Sequence, residues 1–217
     1  RGSLGEIAAV FAKGYGMGQL VALAEPGERI GEIDVPARTI GFCTVCSITL
    51  NGILLKHGIP VQSKYGGLLE LHDGNPVRFA EAIDYRGTSL DPLVIFIRGG
   101  FTSYRSAIRT GNGLIGASFR ELPAGAAEPA RRLAAKTDAA GLGGFYRMGA
   151  PGCELLGIPA SEGCCGAVVI GGLNPVSIME ERGEHVMASA LSGLLAYSRL
   201  FPYTDLPRRL GALVRRG

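Results

Sequence analysis

The alternation of apolar and polar positions divides the chain into short elements. "LIGASFREL" (114–122) alternates around a β-branched residue, which predicts a strand. Glu128 to Ala140 is Ala-rich, sets Leu133 on one face and stops at Gly141, so it predicts a helix. "GGFYRMG" (143–149) reads as a strand closed by the Pro151-Gly152 turn, and "GAVVIGG" (166–172) as a short, fully apolar strand of the buried kind. "NPVSIMEERG" predicts a helix with Asn174 as N-cap and Pro175 in the first turn, ending at Gly183. "LSGLLAYSRL" (191–200) supplies a last strand. The resulting order is β-α-β-β-α-β, the split βαβ or ferredoxin-like arrangement.

A second copy of this layout precedes the first. "GMGQLVALAEPG" (16–27) aligns with "GLGGFYRMGAPG" (141–152), so that Gly16, Gly18 and Pro26-Gly27 fall on Gly141, Gly143 and Pro151-Gly152. Further on, "CSITL" (46–50) meets "AVVIGG" as a strand, Asn51 meets Asn174, and "GGLLEL" (66–71) meets "SGLLAY". The expected fold class is therefore α+β, an internal duplication of two ferredoxin-like α/β plait lobes at 1–72 and 114–217. The first lobe lacks its opening strand, which would lie upstream of Arg1. The intervening 73–113 carries a strand in "PVRFAEAIDYRG" and two helical pieces broken at Gly99-Gly100. That insertion is too short for its own core, so it is expected to bridge lobes or subunits, with "LVIFI" covered by the interface. Core positions should include Ile48, Leu50, Leu68, Val168, Ile170 and Leu194.

Composition narrows the class. The chain has 217 residues, 34 of them Gly and none Trp, with nearly half apolar, which suits an α+β protein with small side chains at close contacts. No apolar run reaches the roughly 18 residues of a membrane span, and no signal peptide opens the chain. A net charge of +3, spread along the sequence, is not the footprint of a nucleic-acid-binding domain. Five cysteines without an export signal point to reduced thiols and a cytoplasmic location.

The chemical motifs are weak. Cys43 and Cys46 supply two zinc ligands, but Cys164 and Cys165 are adjacent, and His57, His72 and His185 show no ligand spacing, so no metal is expected. A thioredoxin-like redox pair opens a helix, whereas Cys46 is expected to run into a strand. Cys153 and Cys165 are expected to be buried or half-buried free thiols. "GYGMGQL" lacks the third Gly of a dinucleotide loop, and no Ser occupies a nucleophile elbow. Glu180-Glu181 falls on a helix read as solvated. No catalytic residue and no cofactor are indicated.

What remains is positive charge near Gly-rich turns. Arg98, Arg105 and Arg109 fall at helical spacings, and Lys64 sits in "SKYGG". They read either as solvated side chains or as an anion site, because carboxylates are held by Arg forks and by backbone N–H groups at helix starts. "TVCS" (44–47) and "SEGCCG" (161–166) occupy corresponding places in the two copies and offer such turns.

Several strings together, "TVCSITLNGILLKHGIPVQSKYGGLLELHDGNPVRFAEAIDYRGTSLDPL", "FREL" and "LGIPASEGCCGAVVIGGLNP", resemble the regulatory domain of the archaeal NrpR-type nitrogen repressors. The resemblance runs over essentially the whole chain; the pair Cys164-Cys165 departs from the family pattern. It implies a repressor of nitrogen-fixation and nitrogen-assimilation genes that 2-oxoglutarate releases from DNA. DNA contact is then made only through a winged-helix domain, which this chain does not contain, and the assembly is a homodimer or higher oligomer. The ligand is expected near the "FCTVCS" turn, at Cys43, Thr44, Cys46 and Ser47, with Lys64, Arg98 and Arg105 as cations. The corresponding turn at Ser161 and Glu162 is the second candidate. The identity of the ligand comes from the resemblance, and the need for an anion site from the residues. The competing expectation is a redox or thiol enzyme using Cys43 and Cys46.

Overall fold

A computed structural model describes residues 2–184 and 186–214; Arg1, His185 and 215–217 lie outside the described residues. Helix α1 (Gly2–Ala12) precedes four short strands, β1 (Leu20–Ala24), β2 (Arg29–Ile30), β3 (Ile33–Asp34) and β4 (Gly41–Thr44). Helix α2 (Ile48–Lys56) leads to the long strands β5 (Gln62–His72) and β6 (Asn75–Asp84), then to helices α3 (Pro92–Arg98) and α4 (Tyr104–Thr110). Next come β7 (Gly113–Pro123), α5 (Ala127–Ala139), β8 (Arg147–Met148), β9 (Cys164–Ile170) and α6 (Asn174–Glu180). Strand β10 (Phe201–Pro202) and helix α7 (Leu206–Val214) follow.

The main sheet is antiparallel, in the order β6-β5-β7-β9-β8. Its strands come from all three segments distinguished in the sequence. Residues 115–122 of the central strand β7 are all buried. Because successive side chains point to opposite faces, that strand feeds two cores at once. Ile115, Ala117 and Phe119 pack with Leu69, Val168, Ile170 and Phe11 of α1. Leu122 packs on the other side with Leu50 and Leu54 of α2, Ala130 and Ala134 of α5, and Val169. A smaller antiparallel sheet, β10-β1-β4, and the hairpin β2–β3 complete the architecture.

Helix α3 shows how the insertion is used. Asp91 caps it, its carboxylate accepting the Leu93 N–H at 2.8 Å, and Pro92 fills the first position without losing a bond. A Cβ at Gly66 would lie 2.8 Å from Pro92, and one at Gly171 would lie 2.8 Å from Leu93. The missing side chains let the helix rest on the sheet, and Leu93, Phe96 and Ile97 are buried there. The apolar "LVIFI" is thus largely covered by its own chain rather than by an interface.

Mixed α+β composition is as expected, and the strands over 66–71, 114–122 and 166–170 and the helices over 128–139 and 174–180 fall where the pattern placed them. The symmetry of the two copies does not carry through. "CSITL" opens helix α2, whereas its supposed equivalent lies in strand β9. The β-branched pair Ile48-Thr49 favoured a strand, but the apolar positions that matter, Leu50 and Leu54, are four apart and share a helix face. Ile48 is consequently 41% exposed instead of core. "LSGLLAYSRL" has no strand before Phe201; Gly193 lies flat against the backbone of Gly31, and Leu194 is 100% exposed. Leu50, Leu68, Val168 and Ile170 are core. "GGFYRMG" pairs only at Arg147 and Met148. Asn174 begins α6 but makes no cap; its buried amide donates to the Tyr15 and Gly116 carbonyls at 2.9 and 2.8 Å.

Two glycines test this arrangement. Gly52 lies inside α2 with nothing near its missing Cβ, so Gly52→Ala should stabilise by about 0.5–1 kcal/mol, as expected of a helix interior. At Gly67 a Cβ would press into the Glu81 carbonyl oxygen of the neighbouring strand, so Gly67→Ala should cost about 1–3 kcal/mol. Urea unfolding of the two variants measures both.

Candidate functional site

Strand β4 of the small sheet passes into α2, on the large sheet, through Val45-Cys46-Ser47. This turn is clasped to the end of β9. The Thr44 hydroxyl donates to the Gly172 carbonyl at 2.6 Å, and a Cβ at Gly172 would press on the carbonyl of Val45. The Cys46 carbonyl accepts the Thr49 N–H at 2.9 Å, and the Ser47 side chain makes no cap bond.

Beneath the start of α2 lies Arg120, only 1% exposed. Its Nη1 donates to the Ser47 carbonyl at 3.0 Å and its Nη2 reaches the Ser118 hydroxyl at 3.4 Å. Among the described residues its Nε has no acceptor. Among the described residues no carboxylate forms a salt bridge with it. Burial pushes its pKa down to about 10, against the pull of Tyr85 and Cys46. Across the ladder Arg120 pairs with Ser63, whose hydroxyl accepts from Asn51 Nδ2 at 3.1 Å. Asn51 Oδ1 is a second buried atom without a partner. Tyr85 Oη stands over Gly66, where a Cβ would lie 2.9 Å away. Burial raises the Tyr85 pKa, with Asp91 adding to it.

The next residue, Glu121, points to the other face of the strand and is fully partnered. It accepts the Ser161 N–H at 2.8 Å and the Ser161 hydroxyl at 2.9 Å, and Lys64 Nζ lies 3.2 Å away. Burial works to raise its pKa, but the Ser161 N–H, the Ser161 hydroxyl and Lys64 outweigh it and hold the carboxyl below its ordinary value. Two sequence candidates from distant segments, Lys64 and Ser161, are thereby brought together. Their charge and donors are taken up by Glu121, while Glu162 is exposed beside them.

Arg98 and Arg105 line a different cleft of about 450 Å³, together with Ile97, Ser103, Glu180 and Glu181. Arg105 is paired with Glu6 at 3.2 Å. Glu181 is not solvated; it accepts the Tyr104 N–H at 2.6 Å, the Arg105 N–H at 3.1 Å and the Thr102 hydroxyl at 3.1 Å, capping α4. With two carboxylates in its wall, this cleft is poorly suited to a dianion. Arg109 lies exposed at the end of α4.

The cysteines are unpaired: Cys165 is buried, but Cys153 is exposed rather than half-buried, at the tip of its turn. Burial raises the Cys43 pKa, Arg199 opposing and Glu28 assisting. Among the described residues no three His, Cys, Asp or Glu side chains converge as a metal site, and no histidine is hydrogen-bonded to a serine or cysteine. No helix of the described chain is long and apolar enough to cross a membrane.

Arg120, Ser118 and Tyr85 were missed by the sequence reading. The signal lay in "FREL": two opposite charges side by side within an otherwise apolar strand, where charged residues almost never go unpaired.

This is the framework of a mixed α+β regulatory domain with a buried polar cluster, Arg120, Ser118 and Asn51, at its joint. The pattern that defines NrpR regulatory domains NRD1 and 2 matches residues 2–202, and the chain belongs to that family. It is 38% identical over 169 residues to the global nitrogen regulator NrpRI of Methanosarcina mazei, covering 78% of this chain and 52% of that protein. It is 32% identical over 184 residues to the global nitrogen regulator NrpR of Methanococcus maripaludis, covering 85% and 32%. The chain thus spans from a third to a half of the length of these relatives. The crystal structure of a nitrogen repressor-like protein, MJ0159 from Methanococcus jannaschii, superposes with a TM-score of 0.75 at 28% identity, covering 93% of this chain and 81% of that one.

The Glu121 cluster has a pH signature. A carboxylate whose folded pKa is depressed contributes stability above its unfolded pKa, near 4.3, and loses it as pH falls through the folded value. Glu121→Gln should cost about 1.5–3 kcal/mol at pH 7, and the difference from wild type should shrink steadily below pH ~4. Denaturant melts from pH 7 to pH 3 would show the two curves converging.

Proposed function

We propose that this chain is one effector-sensing regulatory domain of a repressor of nitrogen-fixation and nitrogen-assimilation genes, binding 2-oxoglutarate as inducer. Family membership supports the nitrogen-regulatory role. The observation that carries the sensing role is the Thr44–Gly172 clasp, which ties the "FCTVCS" turn to both sheets. A ligand lodged beside that turn changes how the two sheets sit against each other, and differential affinity for the two arrangements is what a sensor needs. The domain takes no cofactor, performs no catalysis, works as a dimer or higher oligomer, and reaches DNA through a winged-helix domain elsewhere in the repressor. The competing reading, a thiol enzyme at Cys43 and Cys46, is disfavoured by the raised pKa of Cys43, since reactive cysteines have depressed ones.

Calorimetry with 2-oxoglutarate is the direct test. At a ligand concentration a hundredfold above its Kd, the domain should gain about 2.7 kcal/mol of stability, seen as a rise in Tm. Succinate and glutamate should bind more weakly. Absence of any response to 2-oxoglutarate would remove the effector assignment, and rapid alkylation of Cys43 or Cys46 at neutral pH would favour the thiol enzyme instead.

A further inference from the structure

An arginine without a counter-charge is an expensive thing to bury. Removing an ion from water costs several kcal/mol even after relaxation, and buried charges in native proteins are paired, hydrogen-bonded or bound to something. Arg120 is fully enclosed, yet its partners are one carbonyl and one distant hydroxyl.

The unpartnered part of the guanidinium has a definite shape. Arginine presents two forks to an incoming carboxylate: the end-on fork of Nη1 and Nη2, and the side-on fork of Nε and Nη2. The end-on fork is spoiled here, because Nη1 is spent on Ser47 at 3.0 Å. The side-on fork is free, with Nε unbonded and Nη2 held only by a 3.4 Å contact to Ser118. Two parallel N–H groups, one without an acceptor and the other with only the distant Ser118 hydroxyl, match the two oxygens of one carboxylate. The surroundings are polar on the same side. Ser47, the N-cap of α2, turns its carbonyl to Arg120, Asn51 one turn on meets Ser63 of the sheet, and Asn51 Oδ1 is the second unmet group. Small residues, Gly66 and Ser118, pair across the ladder beside this cluster, with Pro92 and Tyr85 packed on Gly66.

We propose that the Nε/Nη2 fork of Arg120 is the anchor for a carboxylate of the effector, which enters the buried polar cluster between β5, β7 and the first turn of α2 by displacing the cover over it. The site takes a small carboxylic acid, and it rests on the preceding reading only for which acid that is. Its cover is Tyr85 and Pro92, which stand over Gly66. Among the described residues, those at 86–90 make side-chain hydrogen bonds only to one another and to Asp84: Arg86 to Asp84, and Thr88 with Leu90. That segment is what lifts to admit the ligand. Since Arg120 also holds the Ser47 carbonyl, a carboxylate that draws the guanidinium toward itself pulls on the same turn that Thr44 clasps.

The test separates an anchor from a structural buttress. In Arg120→Met the fork and its charge are gone while the chain length is nearly kept. If Arg120 is an anchor, carboxylate binding by calorimetry falls roughly ten- to hundredfold or vanishes, while the Tm of the ligand-free protein stays level or rises, because an unpaired buried charge has been removed. A variant that binds 2-oxoglutarate like wild type overturns the anchor and leaves the effector reading intact. Binding of succinate but not 2-oxoglutarate, lost in Arg120→Met, keeps the anchor and removes the effector reading. Wild-type protein that binds no carboxylate overturns both. Should Arg120→Met not fold, the wild type still decides: the Nε–H resonance of Arg120 should shift on titration with the bound acid, and an unmoved resonance overturns the proposal.

Discussion

Everything in this molecule is arranged around one strand that has no solvent-facing side. From Ile115 to Leu122, β7 is buried on both faces, so each of its side chains must be met by something within the fold. The apolar ones are met by the two cores. The charged pair Arg120-Glu121 cannot be solved that way, because neighbouring residues on a strand point apart and cannot neutralise each other. The chain answers them separately. Glu121 receives a lysine from β5 and a serine from the loop before β9, and its carboxylate is satisfied. Arg120 receives neutral oxygens only.

That asymmetry has a physical consequence. A satisfied buried pair adds little over apolar packing but is costly to break, and Glu121 uses it to hold the loop at Ser161 in place. An unsatisfied guanidinium is a standing cost, and any carboxylate that reaches it recovers part of that cost in addition to the new bonds. Binding energy of this kind is available for driving a change of shape. On the proposed anchoring it acts where the small and large sheets meet, since the Ser47 carbonyl, the first turn of α2 and the Thr44–Gly172 bond lie within one short turn. Glycines at 66, 116 and 171 serve the same region, letting α3 and Tyr85 close on the sheet without side chains in the way.

Placement also explains why the arginines singled out by helical spacing are poor ligand candidates. Arg105 is bound to Glu6, and the cleft it shares with Arg98 has Glu180 and Glu181 in its wall. Exposed pairs of this kind add little stability, but they occupy the cation. Spacing along a helix reports which side chains share a face; it says nothing of which carboxylate the fold will bring to that face.

Local pattern was enough to place strands over 66–71 and 114–122, within the longer β5 and β7, the helices on either side of Gly99-Gly100, the mixed α+β class and, through its unusual strings, the family. It was enough because those signals are short-range: alternation, periodicity, caps and glycine breaks act within one turn or one strand. It failed at Ser47–Leu50, where a short apolar run fits either period and only the packing of Leu50 and Leu54 against β9 and α5 selects the helix. It also failed at Leu194, whose neighbours look like a strand but find no sheet edge to join. The site was half legible. "FREL" announced two charges in a buried strand, but which of them would be paired was decided by residues far away in the chain, with Ser161 forty positions beyond Glu121. Desolvation and pairing are properties of the assembled interior, and no stretch of sequence contains them.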